Sequence, residues 1–266
     1  MKLLTRVFFA VVAFVGLVTG GVLLAAPGST DQYFAWAISP PQTALFIGAG
    51  YLGTGITLLL ILAMARTWSE ARLIIPPIIV FATSMIGATL LHADRFLWDR
   101  PVTWLWLGLY GVIVVGSVAV MLTERGQRRG FTGVGLTRAE RVVLIALGLL
   151  TLAWAVPMYA APQFAALVWP WALTPLTARI VAGWIAVGAT LALVGGESND
   201  ARGLRLTMLG WTITVVLFIL SSVINLGAFQ DDARRWIYVG GLTASVVGAV
   251  WLLVRMQRRL ALAPLV

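Results

Sequence analysis

The chain has no cysteine, one histidine and few charged residues. Of its 266 residues, 11% are charged and 60% are hydrophobic, with a mean hydropathy of +0.95. Soluble domains carry roughly 25% charged residues, so we expect lipid rather than water around most of this chain. The absence of cysteine excludes disulfides, zinc–thiolate sites and iron–sulfur sites. Because His92 is the single histidine, sites that need a histidine pair are also excluded, and we expect no metal and no cofactor.

The positive charge is the second feature of the composition. A net charge of +9 could indicate binding to a nucleic-acid backbone. The basic residues, however, lie at the ends of apolar segments and in short connectors, which is typical of topology signals and of contacts to anionic headgroups. We therefore expect membrane lipids as partners, other membrane protein subunits as a further option, and no nucleic acid.

Long apolar runs account for most of the chain. A helix needs about 20 mainly apolar residues to cross the hydrocarbon core of a bilayer. The interiors of these runs contain no Asp, Glu, Lys or Arg, as the cost of an ion in lipid requires. The sequence predicts an all-α, polytopic membrane bundle of about eight transmembrane helices. The predicted spans cover about 7–26, 43–65, 73–92, 102–122, 142–160, 177–195, 205–227 and 237–255.

The distribution of basic residues predicts the orientation. With the N-terminus in the cytoplasm, all but five of the 19 Lys and Arg residues fall on the cytoplasmic side. The five outer ones are Arg95, Arg100, Arg179, Arg234 and Arg235. Because cytoplasmic loops carry an excess of Lys and Arg, we expect a multi-pass protein of the cytoplasmic membrane with both termini in the cytoplasm. The first run, from Lys2 and Arg6 to Pro27, also resembles a signal peptide, but we interpret it as a span because the second half of the chain contains a counterpart.

That counterpart belongs to an internal duplication. The segment 25–53 aligns with 160–188 without a gap, so that Trp36 and Pro40 match Trp171 and Pro175. The sequence therefore predicts two four-helix pseudo-repeats, residues 1–122 and 142–266, joined by a cytoplasmic connector at 123–141. An even number of spans returns the chain to its starting side, so the repeats are parallel rather than inverted. Thr137 and Glu140 form the pattern of a capping box that opens the fifth span.

Each predicted repeat has an aromatic segment after its first span that is too short to cross. We expect these segments to lie in the outer headgroup layer, since Trp favours that depth. Ser39-Pro40 and Thr174-Pro175 then have the N-cap and N1 pattern of a new helix. The anchoring residues are Trp36, Pro40, Trp169, Trp171 and Pro175. An alternative is that the two helix N-termini form an anion site.

Polar residues on the third and seventh spans suggest a pocket. Ser84 and His92 share one face of span 3, with Thr89 at its edge, and Ser221 and Asn225 share a face of span 7. The candidate ligand-binding residues are Ser84, Thr89, His92, Arg179, Ser221 and Asn225. Hydroxyl residues also join helices within lipid, so packing is the alternative interpretation.

The outer connector after span 3 holds the catalytic candidates. A histidine beside a carboxylate can accept a proton, and arginine can hold a phosphate or carboxylate. His92, Asp94 and Arg95 combine these groups, although loop charges of both signs are more often solvated ion pairs.

Three functions remain open at this point. A non-catalytic subunit or scaffold that contacts lipids or partner proteins is favoured by the lack of ionisable groups inside the spans. A carrier or channel for a small neutral or anionic solute, between spans 3 and 7, and an outer-face enzyme acting on a lipid are the alternatives. The sequence favours a non-enzymatic role.

Overall fold

The computed structural model describes residues 1–126 and 134–262, and all regular structure in these ranges is helical. Eight helices are long and apolar enough to cross a membrane, which confirms the predicted fold class. Residues 127–133 of the predicted connector, with Arg128 and Arg129, lie outside the described ranges. The helices are α1 (Leu3–Ala25), α2 (Pro41–Met64), α3 (Trp68–Leu91), α4 (Pro101–Thr123), α5 (Arg138–Ala160), α6 (Pro175–Ser198), α7 (Ala201–Ile224) and α8 (Ala233–Leu262).

Helix starts follow local signals in the sequence. Thr137 caps α5 by accepting a hydrogen bond from the Glu140 N–H, and Glu140 caps Thr137 in return, so the predicted capping box is confirmed. Thr174 caps α6, with Pro175 at its first position. The start of α2 differs from the prediction, because Pro41 takes the first helical position and Ser39 makes no cap. With two successive prolines, the second fills the position where a missing N–H costs nothing.

The helices divide into an inner and an outer set. Within their most apolar windows, 67% of α2 and 56% of α6 is buried inside the protein, against 22% of α5 and 17% of α8. Helices α3 and α7 join the inner set, and α1 and α4 the outer set. The outer helices expose Leu, Val and Trp side chains, as a lipid-facing surface requires.

The two predicted halves pack across one another. Helix α1 packs on α2 and α5 on α6, while α3 contacts α4 and α7 contacts α8. The principal contacts between the halves join α2 with α7 and α3 with α6. The inner four helices therefore form one body to which both halves contribute.

Glycines allow the closest approaches. A Cβ added to Gly20 of α1 would lie 2.6 Å from the Leu52 nitrogen of α2, so the two backbones are nearly in contact. Between α2 and α7 the contact is reciprocal. A Cβ on Gly53 would overlap the side chain of Thr214, and one on Gly210 would overlap that of Thr57. Small residues at such positions let helices pack tightly where the hydrophobic effect cannot drive them together.

Successive helices run in opposite directions, so the connectors lie alternately at two ends of the bundle. The two ends differ in their residues. The charged end carries the start of α1, the end of α8 and the α2–α3 and α6–α7 connectors. Three of the buried carboxylates there pair with groups from other parts of the chain: Glu140 with Arg255 and Arg259, Asp200 with Ser69 and Arg72, and Glu124 with Thr5 and the Lys2 N–H. The opposite end, here called the aromatic end, carries residues 26–40, 92–100, 161–174 and 225–232.

Candidate functional site

Two clusters of four rings close the aromatic end. One consists of Phe34, Trp36, Phe96 and Trp106, and the other of Trp169, Trp171, Phe229 and Tyr238. The ring centroids of Trp36 and Phe96 are 5.1 Å apart, as are those of Trp171 and Phe229. The edge-on ring contacts stabilise each cluster beyond its burial.

The same clusters contain the predicted anchoring tryptophans. Trp36, Trp169 and Trp171 are buried against other rings. These indole rings therefore face the protein interior rather than the headgroup layer. That the two segments lie in the headgroup layer stays a prediction. Buried Trp106, which the sequence reasoning missed, donates its indole N–H to Thr89 at 3.1 Å.

The matched tryptophans of the two clusters, Trp36 and Trp171, differ in their hydrogen bonding. The Trp171 indole N–H donates to Thr43 Oγ1 at 3.0 Å. The matching indole N–H, that of Trp36, is buried and has no partner within the described residues. In the register of the duplication the position of Thr43 is taken by Ala178, which has no hydroxyl to offer.

His92 and Arg179 meet at the aromatic end. His92 follows the last residue of α3, and Arg179 lies in the second turn of α6. The Nε2 atom of His92 and the Nη1 atom of Arg179 are 2.6 Å apart. Because a guanidinium can only donate, Nε2 accepts, and the imidazole is neutral with its proton on Nδ1. Burial, and then the positive charge of Arg179, lower the pKa of His92.

Arg179 has no carboxylate partner among residues 1–126 and 134–262. Three acids of the same end pair with other arginines: Asp94 with Arg95, Asp231 with Arg235, and Asp232 with Arg234. The Arg179 Nε–H is also buried without an acceptor in the same ranges. A cationic group therefore remains uncompensated beside a neutral histidine.

Tyr159, the second-last residue of α5, contacts α3. Its hydroxyl donates to the Ser84 carbonyl oxygen at 2.7 Å, linking the end of α5 to α3. The sequence reasoning missed Tyr159, although its position at the end of an apolar run, where Tyr is enriched, was a usable signal.

The other predicted pocket residues are occupied by local bonds. The hydroxyls of Ser84, Thr89 and Ser221 donate to carbonyl oxygens of their own helices. Asn225 follows the end of α7 and is half-buried. Of the six predicted ligand-binding residues, the structure joins His92 and Arg179 directly.

Two cavities lie deeper in the bundle. One, of about 60 Å³, is almost wholly apolar and lies among α1, α2, α3, α4 and α6, beside the hydrogen-bonded hydroxyls of Tyr51 and Tyr110. The other, of about 30 Å³, lies among the inner helices α2, α3, α6 and α7. The predicted residues Ser84, Thr89, Ser221 and Asn225 line neither of these two.

Neither a search for metal sites nor comparison with known proteins indicates a function. Among the described residues, no group of three or more His, Asp or Glu side chains could hold a metal ion. Comparison with protein-family models, curated proteins and solved structures finds no match to this chain.

Proposed function

We propose that this integral membrane protein is a non-catalytic scaffold or subunit that binds anionic lipid, with the headgroup held by Arg179 beside His92. The observation that carries the proposal is the uncompensated guanidinium of Arg179, which contacts a neutral imidazole rather than a carboxylate. Phosphate oxygens are strong acceptors for guanidinium donors. The Nδ1–H of His92 supplies a second donor at the same place.

The orientation belongs to the same proposal. The charged end faces the cytoplasm and the aromatic end faces outward, as the excess of Lys and Arg at the charged end favours. Arg179 then lies at the outer headgroup layer of the cytoplasmic membrane. The matched ring clusters support a duplicated four-helix unit, in which Arg179 belongs to the second copy and Ala44 occupies its place in the first.

The state of His92 favours binding over catalysis. A general base needs a free lone pair within reach of the substrate. The acceptor nitrogen of His92 already receives a hydrogen bond from Arg179, and Asp94 is paired with Arg95. An outer-face lipid enzyme using these residues would first have to break both contacts.

A carrier of a small neutral or anionic solute is the second candidate. It is supported by the cavity among the inner helices, whose lining includes four threonines, Thr54, Thr57, Thr207 and Thr214. Its volume of about 30 Å³ is two to three times the roughly 10–15 Å³ that one water needs, so it holds only water-sized molecules. Transport of anything larger would require the inner helices to separate, so we prefer the lipid-binding role.

Native mass spectrometry of the full chain released from nanodiscs tests the proposal. The nanodiscs would contain phosphatidylglycerol and phosphatidylcholine in equal amounts. A basic side chain near an anionic surface contributes about 1 kcal/mol, so Arg179→Gln should reduce retained phosphatidylglycerol about fivefold. The matched control is Arg95→Gln, because Arg95 is exposed and paired with Asp94. Equal retention by the wild-type protein and Arg179→Gln would refute the headgroup site.

A further inference from the structure

The cavity among α2, α3, α6 and α7 has polar groups without partners in its wall. Trp184 of α6 and Thr207 of α7 both line it, and both are buried. The Trp184 Nε1–H and the Thr207 hydroxyl lack a hydrogen-bond partner within the described residues. A buried polar group left unpaired costs about 1–3 kcal/mol, so two at one cavity need an explanation.

Two other hydroxyls of the wall, those of Thr57 and Thr214, already donate to backbone carbonyl oxygens. Thr57 donates to the Gly53 carbonyl oxygen at 2.7 Å, and Thr214 donates to that of Gly210 at 2.9 Å. A hydroxyl that donates its proton keeps lone pairs that can accept. The cavity wall therefore offers an indole donor, two threonine acceptors, and Thr207, which can do either.

Size and charge restrict the ligand that fits this wall. A volume of about 30 Å³ exceeds the roughly 10–15 Å³ that one water needs. The lining contains no Asp, Glu, Lys, Arg or His, so an ion would have no counter-charge in a medium of low dielectric constant. The ligand must be neutral and must both donate and accept hydrogen bonds.

We propose that this cavity is a binding site for one water-sized, neutral, hydrogen-bonding molecule, water itself in the resting protein, held between Trp184 and Thr207. The molecule accepts from the indole N–H and exchanges a hydrogen bond with the Thr207 hydroxyl. Thr57 and Thr214, which form the close contact between α2 and α7, also line the cavity. The bound molecule thereby completes the hydrogen bonding where the two halves of the chain meet.

Water-to-indole cross-relaxation in the full-length protein tests this site. The protein, carrying ¹⁵N-tryptophan, would be placed in nanodiscs, and Trp184→Phe would assign the Trp184 indole signal. We expect a cross-peak between that N–H and a long-lived water. The Trp36 indole is the internal control, because it is also unpartnered but is enclosed by Phe34, Phe96 and Trp106. Absence of the Trp184 cross-peak in the wild-type protein overturns the proposal.

Two substitutions at Thr207 refine the test. Thr207→Val keeps the volume but removes the hydroxyl, and should weaken the cross-peak about fivefold or more, the effect of losing about 1 kcal/mol of hydrogen bonding. Thr207→Ser keeps the hydroxyl and should retain the cross-peak. An unchanged signal in Thr207→Val overturns the assignment of Thr207 as the second partner. If Thr207→Val fails to fold, Thr207→Ser decides alone. Loss of the cross-peak in folded Thr207→Ser, which keeps the hydroxyl, would also overturn the assignment of Thr207.

Discussion

The two ends of the bundle differ in the burial and pairing of their charged side chains. At the charged end, the acidic side chains Glu140 and Asp200 are 1% and 2% exposed and are held by arginines. At the aromatic end, the paired acids Asp94 and Asp231 are 71% and 89% exposed, while Arg179 lacks a carboxylate among the described residues. Buried pairs fix helices relative to each other, whereas exposed pairs contribute little. The buried carboxylates of Glu140 and Asp200 at the charged end are thus paired with arginines, whereas Arg179 at the aromatic end has no carboxylate partner among the described residues.

The largest effect should come from breaking the charged end at Glu140. Glu140→Ala removes a capping box and leaves Arg255 and Arg259 without their shared partner. We expect a loss of about 2–3 kcal/mol in the free energy of unfolding, measured by SDS-induced unfolding in mixed micelles. Asp94→Ala at the aromatic end is the control and should change it by less than about 0.5 kcal/mol. Equal losses of unfolding free energy in the two variants would contradict the difference between the two ends.

The second-largest loss of stability should come from substituting Asp200. It caps α7 through the Gly203 N–H and accepts from Ser69, which links the α2–α3 connector to α7. Asp200→Ala should cost about 2 kcal/mol in the same assay, and Ser69→Ala about 1 kcal/mol. Because the two share a hydrogen bond, the double variant should lose less than the sum. Strict additivity would contradict the contact.

A smaller effect is expected within the aromatic end, at Thr43. Thr43→Val leaves the buried Trp171 indole N–H without an acceptor, which should cost about 1 kcal/mol. Thr83→Val is the control, because Thr83 is exposed and bonds to its own helix. Unfolding followed by tryptophan fluorescence measures both. Matching values would mean that this hydrogen bond adds nothing to the second ring cluster.

The smallest effect concerns the titration of His92. Its pKa should lie below the ordinary value of about 6.5. Removing the nearby cation in Arg179→Gln should raise it, and Arg95→Gln should raise it less. Since His92 is the single histidine, NMR of histidine-labelled protein reads it directly. A pKa that does not respond to Arg179→Gln would place the two side chains apart in the membrane.

The lowered pKa of His92 also determines how its contribution to stability depends on pH. A histidine whose pKa is lowered by folding binds fewer protons in the native state than in the unfolded state. The contribution of His92 to stability is therefore complete above pH of about 6.5 and is lost as the pH falls through the folded-state pKa. Stability that rose on acidification through this range in a His92-dependent way would contradict the assignment.

Much of this fold can be predicted from the sequence because lipid imposes simple rules. Eight apolar runs give eight helices, and the Thr137–Glu140 capping box starts α5 as its residue pattern indicates. The grouping of His92 and Arg179 at one end follows from counting crossings, and the structure adds their direct contact.

The faces that pack cannot be predicted in the same way. In lipid, a buried helix face and a lipid-exposed face are both apolar, so hydropathy does not separate them. Two findings could therefore not be predicted from the sequence: the contact of Gly53 with Thr214, and the polar groups of Trp184 and Thr207 that lack partners in the described part of the chain. The register of the duplication is also a limited guide. Gly48 and Gly183 match in sequence, yet Gly48 approaches Leu23 of α1 and Gly183 approaches Ser84 of α3.

The reciprocal contacts between α2 and α7 limit how the halves can move. Each threonine is seated over a glycine of the opposite helix, one pair a turn above the other. Axial sliding would drive both threonines into neighbouring side chains at once, whereas rotation about the line through the two contacts leaves both seated. A movement of α2 relative to α7 that keeps both helices intact should therefore be a hinge motion about that line rather than axial sliding.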